Sequence, residues 1–67
     1  SPRVYEVITN ETFVMSRPST GGQRVDRLYQ GDKVEAVAAI GPWIELRSLR
    51  GRPGYIYLQD VVQSAAP

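Results

Sequence analysis

Turn-forming residues interrupt this chain so often that no segment between them has room for more than a short strand. Asn10, Arg17-Pro18-Ser19-Thr20-Gly21-Gly22, Gln30-Gly31-Asp32, Gly41-Pro42 and Arg50-Gly51-Arg52-Pro53-Gly54 each read as a turn or loop. The segments between them are rich in β-branched residues, 12 Val and Ile against 4 Leu, which favours extended backbone over helix. Strands are expected over residues 4–8, 11–15, 24–29, 33–40, 43–49 and 55–57, with a short last one around Val61 and Val62. Since nothing is long enough to serve as a crossover helix, neighbouring strands must pair antiparallel. The expected fold class is all-β, a small antiparallel barrel or curled sandwich of five or six short strands.

A chain of 67 residues makes one domain, because a chain this short buries only about 60% of the surface that its unfolded form exposes. It holds no cysteine and no histidine, so neither disulfides nor the usual zinc ligands can staple it, and packing must carry the fold. The longest apolar run, Val37-Ala38-Ala39-Ile40, is far short of the roughly 20 residues that a membrane-spanning helix needs. The net charge of +1 is no signature of a nucleic-acid binder. The start at Ser1-Pro2 and the small, polar end Gln63-Ser64-Ala65-Ala66-Pro67 read as linkers flanking a domain over residues 4–62 of a longer multidomain protein. No internal repeat is visible.

Side-chain alternation sorts the strands into faces. Val34, Ala36, Ala38 and Ile40 share one face of their strand, the expected core face. Ile44 and Leu46 share a face of the next, which leaves Trp43 opposite with the charged Glu45 and Arg47, outside the main core. Ile56 points inward between Tyr55 and Tyr57, so three aromatics are expected on or near the surface. The expected core is Val14, Val25, Leu28, Val34, Ala36, Ile44, Leu46, Ile56 and Val61. Tyr5, Tyr29 and Tyr55 read as half-buried barrel aromatics, whereas Trp43 fits either a recognition groove or a cap on the barrel.

Catalysis is the poorest hypothesis for these residues. A serine nucleophile lacks its usual base, and the single lysine, Lys33, sits beside Asp32 and Glu35, which favour its charged form. The carboxylates form no dense calcium-type loop, and Gly21-Gly22 lacks the Lys-Ser/Thr of a phosphate-binding loop. No catalytic residue, metal or cofactor is therefore expected. The one local charge bias, Arg47-Ser48-Leu49-Arg50-Gly51-Arg52, could offer single-stranded nucleic acid an aromatic and basic surface. A solvated hairpin whose arginines pair with Glu45 and neighbouring acids is the simpler reading, and nucleic acid is not the expected partner.

Gln30-Gly31-Asp32-Lys33-Val34-Glu35-Ala36-Val37, then Trp43-Ile44-Glu45-Leu46-Arg47-Ser48-Leu49, then Gly51-Arg52-Pro53-Gly54-Tyr55-Ile56 resemble, in order and spacing, the Lys-Gly-Asp, Trp-Trp and Gly-Tyr-Ile segments of Src-homology-3 (SH3) domains. Val14-Met15-Ser16-Arg17-Pro18-Ser19-Thr20 is similar to the Val-Arg-Ser-Gly-Pro-Ser-Thr signature of the bacterial SH3 (SH3b) branch. The likeness spans about residues 4 to 62. It implies an SH3-like barrel and a non-catalytic protein or peptide interaction module that positions its parent through a shallow groove around Trp43. Tyr57 and Tyr5 are the weaker groove candidates, and Arg17 and Arg47 complete the expected ligand-binding set.

Where SH3 domains carry Pro-Ser-Asn-Tyr, this chain has Tyr57-Leu58-Gln59-Asp60, and of the family's groove residues only Trp43 matches directly. The stretch corresponding to the family's acidic loop holds Arg17, Arg24 and Arg27 against Glu11 and Asp26, which argues against recognition of ordinary proline-rich ligands with their basic residue. Thr12, Phe13, Met15 and Arg17 depart from the bacterial signature. That branch implies a periplasmic or extracellular setting and cell-wall peptides or peptidoglycan among its ligands. The alternatives are a structural adaptor that packs on a partner domain or on itself, and an RNA-binding SH3-like barrel.

Overall fold

The computed structural model describes residues 3–49 and 51–64. Its strands lie where the turn residues leave them: β1 (Arg3–Val7), β2 (Glu11–Met15), β3 (Arg24–Tyr29), β4 (Lys33–Ile40), β5 (Trp43–Leu49), β6 (Arg52–Tyr57) and β7 (Val61–Gln63), with one 3-10 turn at Leu58–Asp60. Gly31 and Gly41 take the left-handed φ values, 93° and 55°, that the turns between β3, β4 and β5 require. All strands join one antiparallel sheet in the order β3-β2-β6-β5-β4-β1-β7. The class is all-β, as expected. The strand count is seven rather than five or six, because the three-residue β7 also pairs into the sheet, beside β1. Ser1, Pro2, Arg50 and the tail 65–67 lie outside the described residues.

The sheet curls around Val7, Val14, Ala36, Ile44, Leu46, Ile56 and Val61, with Tyr5, Leu28 and Val34 packed against this cluster. Gly54 explains how tightly β2 and β6 approach: a Cβ there would run into Cγ1 of Val14. Pro53 and Gly54, expected in the turn, are strand residues. The cause is a register shift between Leu46 and Leu49, which pairs Gly54 with Leu46 and Arg52 with Leu49.

Two further bulges overturn parts of the expected core. Val14 pairs with Asp26 and Met15 with Arg24, so Val25 is the surplus residue of β3 and stands 54% exposed. On β4, Ala36 pairs with Leu46 and Ala38 with Glu45, which makes Val37 the surplus residue. The alternation breaks there, and Ala38 and Ile40 are exposed rather than inward. Tyr29, expected half-buried, is exposed because β3 is an edge strand.

Trp43 is the other correction. It is absent from the main core cluster, as alternation indicates, yet it is buried, only 6% exposed. The outer face of this sheet is covered locally, for the reasons given next.

Candidate functional site

Trp43 opens β5 and Tyr57 closes β6, and the two pair directly in register. Cross-strand partners project from the same face, so the rings meet on the outer side, stacked with centroids 4.2 Å apart and planes at 23°. The main chain fixes both: the Leu58 N–H donates to the Pro42 carbonyl at 2.8 Å, joining the residue after Tyr57 to the residue before Trp43. The 3-10 turn is anchored in turn. The Ile8 N–H donates to the Asp60 carbonyl at 2.9 Å, and the buried Thr12 hydroxyl donates to Asp60 Oδ2 at 2.8 Å.

These contacts hold the aromatic pair against the β2–β3 hairpin and leave an open groove of about 310 Å³ between them. It is lined by Trp43, Tyr57 and Asp60, by Glu11, Phe13 and Arg24 of the hairpin, and by Thr20 and Gly22 of the long loop. The hairpin wall carries mixed charge. The Arg24 guanidinium lies 3.9 Å from the centroid of the Phe13 ring, with that of Arg27 at 5.3 Å. Arg27 also faces Glu11 at 3.7 Å across an exposed ion pair. The groove thus combines aromatic surface with hydrogen-bonding and charged groups. Among the described residues no cluster of three or more acidic side chains is placed to hold a metal ion.

The five residues expected to bind ligand do not share a site. Trp43 and Tyr57 line the groove together. Tyr5 and Arg47 instead line a second, open concavity of about 510 Å³ with Arg3 and residues 36–39 of β4, because β1 and the far half of β5 lie on the other side of the sheet order. Arg17 lines neither: its Nη2 donates to the Gly21 carbonyl at 3.1 Å and spans its own loop. Phe13, Arg24, Thr12 and Asp60 were not among the expected site residues. Phe13 and Thr12 stand where the chain departs from the bacterial SH3 signature, and Asp60 where the SH3 segment has its tyrosine, so those departures were the available signal.

No family model and no curated protein matches the chain.

Proposed function

We propose that this domain is a non-catalytic interaction module that binds an extended protein or peptide segment in the groove between the Trp43–Tyr57 pair and the β2–β3 hairpin. The stacked pair carries this reading. Trp43 is buried and stacked against Tyr57, so the half-buried Tyr57 ring presents a flat face at little entropic cost on binding. The SH3 resemblance supports it further, since Trp43 is the position at which such domains engage their ligands. The rim of Glu11, Arg24 and Asp60 departs from that family's acidic groove. It suits a segment that offers both a charged group and polar backbone, as cell-wall stem peptides and envelope-protein peptides do.

Titration with peptidoglycan fragments and with peptides from envelope proteins tests the assignment. Amide shifts are expected at residues 12–15, 24, 43, 57 and 60, with a change in Trp43 emission, and Tyr57→Ala is expected to abolish both. Responses confined to another surface would overturn it. A structural adaptor is favoured by a different observation: Ile8 and Val62, on the β1–β7 margin, leave half their area in water. Protection of these two residues only in a longer parent chain would support that second role.

A further inference from the structure

Two arginines of β3 stand against the Phe13 ring in different states. Arg27 is engaged: its Nε faces Glu11 Oε2 at 3.7 Å, and its Nη1 donates to the Tyr29 hydroxyl at 3.5 Å. Arg24 is exposed, and among the described residues no carboxylate lies within 4 Å of it. What it has is the ring itself, with the guanidinium carbon 3.9 Å from the centroid. A guanidinium lying over an aromatic face is steadied by the ring while the N–H fork along its planar edge stays available. Among the described residues Arg3 and Arg52 also lack an acidic partner, but neither lies over a ring or lines the groove.

The other two charged groups of the groove already have donors. Glu11 faces Arg27, and Asp60 takes the buried Thr12 hydroxyl on Oδ2 at 2.8 Å. Register sets the Asp60 contact apart from Arg24 along β2, since Thr12 pairs with Leu28 while Arg24 pairs with Met15, three residues further on. Of the charged groups that line the groove, Arg24 is therefore the one that offers an anion unengaged donors. Its best acceptor is a carboxylate, which a guanidinium can grip with two parallel hydrogen bonds.

We infer that Arg24 makes the groove selective for acidic segments: an extended segment of another protein lays an aromatic or apolar residue on Tyr57 and offers an aspartate or glutamate side chain to Arg24. This rests on the groove reading above and adds to it the sign of the ligand's charge. Residues two apart project from the same side of an extended chain, so one short segment can address both groups. Because the groove is open, a continuous chain can run through it, and a side-chain carboxylate rather than a chain end is the source.

The test uses three labelled peptides of serine and threonine around a central tyrosine. The first has glutamate two residues from the tyrosine on either side and blocked ends; the second has lysine at those positions; the third has glutamine there and a free C-terminal carboxylate. At low salt the first is expected to bind about tenfold more tightly than either of the others, the preference shrinking as salt screens it, with amide shifts at residues 13, 24, 43 and 57. Arg24→Gln is expected to remove the preference and Arg24→Glu to invert it, both variants unfolding within a few degrees of the wild type because the position is exposed. Arg3→Gln, which loses the same charge at the other concavity, is expected to leave the preference intact. Equal binding of the first two peptides, or a preference that survives Arg24→Gln, with shifts at residues 43 and 57 still present, would overturn this inference and leave the groove reading standing. Binding of the third peptide as tight as the first would overturn the side-chain source. Absence of shifts at residues 43 and 57 with every peptide would overturn the groove reading and this inference with it.

Discussion

Ile40 and Trp43 face each other across β4 and β5, one turn apart in the chain and paired in register, yet Trp43 is buried and Ile40 is not. The difference lies in their neighbours. Trp43 has a strand on either side, Tyr57 stacked on it and the β2–β3 hairpin across the groove, while among the described residues Ile40 has β5 alone. Hydrophobicity fails to separate the two positions; the number of flanking strands does. The two concavities differ in their walls as well: one lies between the aromatic pair and the β2–β3 hairpin, the other runs along β4 beside Arg3, Tyr5 and Arg47.

Ile44 is almost wholly buried and lies beneath both regions, so Ile44→Ala is expected to cost about 2–5 kcal/mol in urea unfolding. In a domain this small that removes most of the stability, and both concavities should collapse together. Gly54→Ala forces a methyl group against Val14 and is expected to cost about 1–3 kcal/mol. Adding Val14→Ala should recover part of the loss, because the second change empties the space that the first one fills. Strict additivity would show that the close approach of β2 and β6 is not the cause.

Tyr57→Ala removes the cover from one side of the tryptophan. A loss of about 0.5–1.5 kcal/mol beyond the lost area is expected, with Trp43 emission shifted to the red, whereas Ile40→Ala should leave emission nearly unchanged. If both variants moved it alike, the two sides of Trp43 would be equivalent and the comparison would fail. Val37→Thr, at the surplus residue of the β4 bulge, is expected to change stability by less than about 0.5 kcal/mol. Finally, no measurable binding of single-stranded oligonucleotides is expected at physiological salt, since Arg47 is paired with Glu35 and the domain has little net charge. Tight, salt-sensitive binding that a triple alanine variant of Arg47, Arg50 and Arg52 loses would reverse this.

Strand positions were legible in the chain because they depend on local signals: turn residues and β-branched runs. β2, β3, β4 and β5 fall on the expected residues. Facing was legible only where a strand keeps its alternation. Ile44, Leu46 and Ile56 obey it, but the surplus residues Val25 and Val37 are set by the partner strand, and one strand's own sequence cannot announce a bulge made in pairing. Trp43 and Tyr57 were singled out by parity and resemblance, and the structure brings them to one groove. That Phe13, Thr12 and Asp60 join them there was marked only by departures from the family pattern, since their meeting depends on the hairpin and the 3-10 turn coming together across residues far apart in the chain. Nor could alternation place Tyr5 and Arg47 in a different concavity from Trp43, which needs the order of strands in the sheet.

The pairing of β1 with β7 has a mechanical consequence. Tyr5 lies opposite Gln63, Val7 opposite Val61, and the Ser64 N–H donates to the Val4 carbonyl at 2.8 Å, so the first and last strands leave the sheet side by side at the same end. A pull applied through the two ends of the domain would load these bonds one after another, like a zip, instead of sharing the load across the ladder as opposed shear would. The domain is therefore built to peel open under modest tension from its ends, and in a tethered or load-bearing chain it would yield before a domain whose terminal strands are pulled in shear.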